Sequence, residues 1–287
     1  MLLDLHSHSV ASDGLLSPSA LVAAAGRAGV EALALTDHDT TAGLREAAAA
    51  APAAGLQLVP GIELSVHHEG HELHVLAYFA PARIDAWEAF QARRLAARWE
   101  RLHAMIERLE ALGAPIDRGA LLAEREGAEG VPGRPHVARA LVAAGHVPDL
   151  DQAFERFLAN GRPAHVPTRG PSAAEALALV RDLPGLSVLA HPIYGDLDPL
   201  LEGLTELGLD GVEAYHFTHE PEVAAHYQRR ARDLGLLVTG GSDYHGDADD
   251  PTGARAGERL GRVALPPAAG EAFLAGLAAR TGWAPRG

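Results

Sequence analysis

The chain contains neither cysteine nor lysine; all 24 basic residues are arginine. Without thiols there is no disulfide, no thiolate metal site and no cysteine nucleophile. Without lysine there is no Schiff base, no Ser-Lys dyad and no lysine-bearing phosphate loop. Aromatic residues make up only 5% of the sequence, so Ala, Leu and Val must fill any core. No run reaches the ~18 apolar residues of a membrane span. The opening MLLDLHSHS turns polar at once and has no basic flank, unlike a signal peptide. A cytoplasmic protein with no membrane partner is expected, and no obligate protein partner is evident. The net charge of −14 argues against a clamp on long nucleic-acid duplex. It leaves room for a local arginine cluster that grips one or two phosphates.

What is plentiful is histidine, with 16 residues, and the pattern of elements shows where these fall. Strands are expected at Leu2–Leu5, Val30–Leu35, Leu56–Leu64, Leu73–Phe79, Leu186–Ala190, Gly211–Tyr215 and Leu236–Thr239, with a last one at Val263–Leu265. Helices are expected between them: Pro18–Ala28 capped by Ser17, Thr41–Ala51, Ser172–Asp182, Leu197–Leu207, Pro221–Leu234 and Gly270–Arg280. This alternation predicts a parallel sheet closed into a distorted TIM-type barrel. Residues 81–165 carry no strand signal. There Leu95, Trp99, Leu102, Ile106 and Leu109 form one apolar helical stripe, and Val137–Ala144 and Asp151–Ala159 read as further helices. The predicted organisation is a barrel domain of residues 1–80 and 166–287 with a helical insertion, 81–165, over its mouth.

Metal-ligand residue types recur at the strand ends. His6 and His8 end the first strand and share a face. Asp13 follows, His38 ends the second strand, Glu63 the third, and His74 lies in the fourth. His191 ends the strand before Pro192, and Asp243 and His245 follow the last regular strand. In a barrel the strand C-termini converge on one rim, so these residues would meet there. The set is imidazole and carboxylate without sulfur. It suits Zn, Mn or Fe, and it is too large for one ion.

These motifs resemble the PHP (polymerase and histidinol phosphatase) family of metal-dependent phosphoesterases. The segments that carry the resemblance are Asp4-Leu5-His6-Ser7-His8-Ser9, Ser12-Asp13-Gly14, Thr36-Asp37-His38-Asp39, Pro60-Gly61-Ile62-Glu63, His74, Ala190-His191-Pro192 and Gly241-Ser242-Asp243-Tyr244-His245. The resemblance implies a distorted (β/α)7 TIM-like barrel with three divalent metal ions, of which Mn²⁺ is the first choice. It assigns one ion to His6, His8, Glu63 and Asp243, a second to Glu63, His74 and His191, and a third to Asp13, His38 and His245.

The helical insertion resembles the subgroup that removes the 3′-phosphate from nucleoside 3′,5′-bisphosphates or acts as 5′→3′ exonuclease on short oligonucleotides. Gly133-Arg134-Pro135-His136 is similar to that subgroup's phosphate-binding stretch. Arg162 is a further expected phosphate contact, His216 and His219 are expected to face the same pocket, and one of them or a metal-bound water is expected to protonate the leaving oxygen. A hydroxide bridging two ions is the expected nucleophile, with Asp243 in the catalytic group. Alternatives are a histidinol-phosphate-type phosphatase, a metal-dependent amide hydrolase and a metal-binding regulatory module. His67, His68 and His71 read as an exposed hairpin, and Trp87, Phe90 and Trp99 as core of the insertion. Asp247, Asp249 and Asp250 read as a solvated loop, and Asp37 and Asp39 as residues that orient a ligand.

Overall fold

The structure, a computed structural model, describes residues 1–126, 133–167, 170–195, 197–246, 259–263 and 265–283, with backbone alone at 88–95 and 124–126. Phe90, Leu95, Asp247, Asp249 and Asp250 fall outside the described side chains. Seven strands follow one another around a single sheet in chain order. They are β1 (Leu3–Asp4), β2 (Ala32–Leu35), β3 (Gln57–His68), β4 (His71–Phe79), β5 (Gly185–Leu189), β6 (Gly211–His216) and β7 (Leu237–Gly241). The ends meet: Leu5 N donates to Gly240 O at 3.2 Å and His8 N to Tyr244 O at 2.9 Å. The sheet is a near-closed, distorted TIM-like barrel.

Strand alternation sorts the core. Leu33, Leu35, Ile62, Leu64, Val75 and Phe79 pack outward under the surrounding helices. Ala32, Ala34, Val59, Leu76, Tyr78 and Val188 belong to a second cluster with Phe273, Leu277 and Trp283. Short alanine side chains let strands approach around a narrow interior. The outer helices are α1 (Pro18–Arg27), α2 (Leu44–Ala54), α7 (Ala173–Asp182), α8 (Leu201–Glu206), α9 (Pro221–Leu234) and α10 (Pro267–Thr281). Ser17 caps α1 by accepting from Ala20 N, and Ser172 and Glu175 form a capping box on α7.

Between β4 and β5 run α3 (Ile84–Ala111), α4 (Arg118–Glu126), α5 (Arg134–Ala143) and α6 (Leu150–Ala153), the last continued by a π-helical turn at Phe154–Leu158. Leu102, Met105, Ile106 and Leu109 pack on Val137, Leu141 and Leu158 in a cluster of their own, with Trp99 against it. Trp87 departs from expectation. It belongs to the outer barrel core and stacks on Phe79 with ring centroids 5.1 Å apart, so the first turn of α3 is anchored in the barrel.

Three features correct the sequence reading. The sheet is not wholly parallel, because β4 runs antiparallel to both β3 and β5. The cause is local. Glu69 and Gly70, at φ 48° and 85°, make a two-residue hairpin turn, whereas a parallel return needs a crossover of about a dozen residues. Glu63 does not end its strand, since β3 runs on to His68. Val263 and Leu265 are not in strand conformation, and Ala264 lies outside the described residues.

Candidate metal centre

The reversal of β4 explains why His74 lies early in its strand. In an antiparallel strand the N-terminal half reaches the rim at which its neighbours end. His74 pairs with Ser65, two residues beyond Glu63, and so faces the same mouth. Five imidazoles converge on the Glu63 carboxylate. His6 Nε2 and His8 Nε2 stand 3.2 and 3.1 Å from its Oε2, and His38 Nδ1 3.1 Å. His74 Nδ1 and His191 Nε2 stand 2.7 and 3.0 Å from Oε1. Asp243 Oδ1 lies 3.3 Å from His6 Nε2 and 3.1 Å from His8 Nε2. Asp13 Oδ1 lies 3.2 Å from His245 Nε2, and its Oδ2 3.6 Å from His38 Nε2.

Three groups of donors result, each within metal-binding reach: His6, His8, Glu63 and Asp243; His8, Asp13, His38 and His245; and His38, Glu63 and His74. His191 adjoins the third, with Nε2 3.3 Å from His74 Nδ1. The donors fit divalent cations. His8 Nε2 and His38 Nδ1 are buried and make no satisfying hydrogen bond although each faces Glu63. An acceptor-only carboxylate has room for about four hydrogen bonds, fewer than the nitrogens that surround it. Buried imidazole and carboxylate without sulfur form a multinuclear metal-binding arrangement.

Backbone strain holds the donors. His191 and Asp243 have φ of 26° and 47°, and Asp39 has 49°. Non-glycine residues seldom occupy this region, and a rigid surround must stabilise them there. Gly241 permits the closest approach of chains, because a Cβ on it would stand 2.4 Å from both N and Cβ of His6.

A layer of acids behind the donors fixes their orientation. Glu213, fully buried on β6, accepts from His6 Nδ1 at 3.1 Å and from His191 N at 2.8 Å. Asp37 accepts from Ser9 N, Ser9 Oγ and Ser12 Oγ and ties the loop that carries His8 and Asp13. Asp39 accepts from Ser65 N at 2.9 Å and from Arg98 Nε at 2.7 Å. Asp4 accepts from Ser242 N and Gly261 N and locks the end of β7. Of these acids, Glu213 went unread in the sequence. Its one signal was an acid inside the apolar run Gly-Val-Glu-Ala-Tyr.

Burial works against every charge here, and the neighbours decide the outcome. It would raise Glu63, Asp243 and Asp13, yet the surrounding imidazoles hold all three well below the usual carboxylate range. Burial would lower His6 and His8, yet the nearby carboxylates hold His6 well above its ordinary value and His8 at about 10. Among the donors with a clear shift, His38 is the exception. Burial pulls it down to about 3 against the fields of Glu63 and Asp13.

The insertion reaches the rim at α5. Gly133 stands beside Asp13, and Arg139 Nη1 donates to the Asp13 carbonyl at 3.3 Å. Gly133 N donates to His136 Nδ1 at 3.0 Å, so His136 serves the first turn of α5 through that nitrogen. Arg134 Nη1 donates to Asn160 Oδ1 and stands 4.0 Å from Glu72 Oε2. The same Glu72 oxygen is 3.2 Å from His165 Nε2 and 3.6 Å from Arg101 Nη2. Burial, reinforced by Arg134, lowers Arg101 to about 10. Arg162 is exposed; its backbone N donates to Ala159 O and its carbonyl accepts from His165 N. The sequence reading passed over Arg98 and Arg101, which sit on α3 like ordinary surface arginines.

His216 stands across the mouth, with Nε2 3.3 Å from Asp243 Oδ2. Its Nδ1 accepts from Thr218 N at 3.3 Å, which leaves the proton on Nε2 to donate to Asp243. His219 Nδ1 donates to Ala214 O at 2.9 Å, so its buried Nε2 is an acceptor.

A barrel whose rim gathers these donors defines a metal-dependent hydrolase. The family model for the PHP domain matches residues 4–128. A 5′-3′ exoribonuclease of Haemophilus influenzae is 33% identical over 247 residues, covering 84% of this chain and 89% of that protein. A 3′,5′-nucleoside bisphosphate phosphatase of Chromobacterium violaceum is 32% identical over 254 residues, covering 85% and 87%. A phosphoribosyl 1,2-cyclic phosphate 1,2-diphosphodiesterase of Eggerthella lenta is 34% identical over 253 residues, covering 86% and 95%. The chain belongs to the PHP superfamily of metal-dependent phosphoesterases. Among the described residues, no helix is long and apolar enough to cross a membrane.

Proposed function

We propose that this enzyme removes the 3′-phosphate of nucleoside 3′,5′-bisphosphates, leaving a nucleoside 5′-monophosphate. The observation that carries the reading is the convergence of five imidazoles on Glu63 next to a cationic group on the insertion. His6, His8, Glu63 and Asp243 would hold one divalent cation, Glu63, His74 and His191 a second, and Asp13, His38 and His245 a third. Bound there, such cations supply a nucleophile at neutral pH and neutralise the phosphoryl oxygens. Glu213 fixes the His6 ring and the backbone of His191, and His216 orients Asp243 from its far oxygen. Arg134 and Arg101, with His165, bind the phosphate that is not cleaved. The N-terminal end of the α5 dipole, at Arg134, adds a favourable field for that anion. Arg162 is within the same insertion, and we assign it to the outer approach. His219 lies 5.4 Å, ring to ring, from His216, and we assign it to the ribose side of the site. Residues 81–165 act as a lid domain that excludes water and limits substrate length.

The exoribonuclease relative favours a second reading, stepwise release of nucleotides from the 5′ end of short RNA. The deciding experiment is product analysis with Mn²⁺ on adenosine 3′,5′-bisphosphate, a 5′-phosphorylated RNA trinucleotide, a ribose cyclic phosphate and histidinol phosphate. Phosphate release from the bisphosphate at the highest kcat/KM supports the proposal. Mononucleotides from the trinucleotide at higher efficiency would replace it with the exonuclease. Preference for either remaining substrate would refute both.

A further inference from the structure

Among the described side chains, Tyr194 and Phe217 are the two aromatic rings that stand exposed, at 48% and 50%. The chain has few aromatics, the other described ones are buried or half-buried, and isolated exposed apolar side chains carry no message. These two are not isolated. They come from different loops, after β5 and after β6, and meet at one place. The Tyr194 ring lies 5.2 Å from the His191 ring and 5.9 Å from the His216 ring, and Phe217 lies 4.5 Å from His216. Ile193 beside them is also exposed. Tyr194 is hydrogen-bonded to Thr218, which fixes its ring at the rim. The Arg259 guanidinium sits 4.6 Å from the centre of the Phe217 ring and covers part of it with a cation.

The position relative to the insertion gives the patch its meaning. The insertion contacts the arc of the rim from β1 to β4, through Asp13, Asp39, Ser65 and Glu72. Tyr194 and Phe217 occupy the opposite arc, above β5 and β6. The donors lie between. A ligand with an anionic end, a flat aromatic end and a scissile phosphate ester on the ring that joins them matches that order of charges and rings.

We propose that Tyr194 and Phe217 form the platform on which the nucleobase of the substrate stacks. The inference rests on the nucleotide reading above. Every base has a π-face, so stacking on such rings binds purines and pyrimidines alike, without reading an edge. The platform selects for a base as such, and against phosphate esters that lack one.

The test uses the full-length, Mn²⁺-loaded enzyme and two substrates, adenosine 3′,5′-bisphosphate and its base-free counterpart, 1-deoxyribose 3,5-bisphosphate. The quantity read is the ratio of their kcat/KM values. In the wild type the ratio favours the nucleotide. In Tyr194→Ala and in Phe217→Ala it is expected to fall by about tenfold each, through KM, whereas Tyr194→Phe keeps most of it. A merely structural role would lower both substrates together and leave the ratio, and that outcome overturns the platform. So does an altered oligomeric state of the variants in size-exclusion chromatography with an unmoved ratio, which would make the patch an interface between copies. If wild-type enzyme ignores the bisphosphate altogether, the nucleotide reading fails and the platform with it. If wild type prefers the nucleotide and the variants keep that preference, only the platform fails.

Discussion

At the barrel rim almost every buried charge faces an opposite one: imidazoles surround Glu63, Asp243 and Asp13, and Glu213 backs His6. On the insertion the balance is different, with Arg101, Arg134 and His165 gathered on the single carboxylate of Glu72. The rim is built on strained backbone and strand ends. The insertion is built on helices with a core of their own. In the proposed function the rim residues would serve any phosphate ester and the cations around Glu72 would select among them, so chemistry and selection would sit on separate scaffolds. The two are joined at a few points. One of those points is Arg98, which is 7% exposed and reaches from α3 to Asp39 and Ser65.

The comparison breaks most completely at the rim. Asp243→Ala should cost about a thousandfold or more in kcat, as loss of a central electrostatic group does, while the far-UV spectrum and melting curve stay near wild type. Full activity in that variant would remove Asp243 from the site. Cutting the joint comes next. Arg98→Ala removes the guanidinium from buried Asp39, which keeps its bond from Ser65 N, and breaking such a charged pair costs about 3–5 kcal/mol. Denaturant unfolding should show it, and a loss under 1 kcal/mol would mean that the insertion holds to the barrel by other means. Glu213→Gln touches only the orientation of His6 and His191. It should weaken Mn²⁺ binding by roughly ten- to a hundredfold, read by titration, with little change in fold.

The mildest probe is pH. In the metal-free protein His8 holds its proton up to about 10, burial being outweighed by Asp243 and Glu63. The folded value is raised, so this group stabilises the metal-free fold fully below its unfolded value of 6.5, and that contribution is lost as pH rises through the folded one. A cation needs the neutral ring and must expel the proton. Affinity should therefore climb by about tenfold per pH unit for each proton released, between neutral pH and about 10. Calorimetry in two buffers of different ionisation heat counts the protons, and a count of zero at pH 7 would contradict the charged imidazole.

Much of the rim was legible because imidazoles and carboxylates recur at the ends of successive expected strands. His6, His8, His38, His191, Asp243 and His245 announce themselves in that way, and Glu63 was found by the same expectation although its strand runs on to His68. The direction of β4 was not legible from alternation alone, since a strand has the same period either way. It follows from two residues, Glu69 and Gly70, whose positive φ was hidden in a polar turn. Arg98 was illegible for another reason. On α3 it looks like any helix-surface arginine, and its partner lies 59 residues away in sequence. Tyr194 and Phe217 escaped notice because an exposed ring and a buried one read identically in a sequence.

The hairpin of β3 and β4 has a consequence for redesign. One ribbon carries Glu63 and His74 at the metal centre and Glu72 among the arginines of the insertion. Transplanting the helices of this insertion onto a related barrel would import its arginines but leave behind the carboxylate around which they are arranged. The portable unit of this charge arrangement is therefore the ribbon together with the helices, and a graft whose cut site falls at Pro81 severs it in the wrong place.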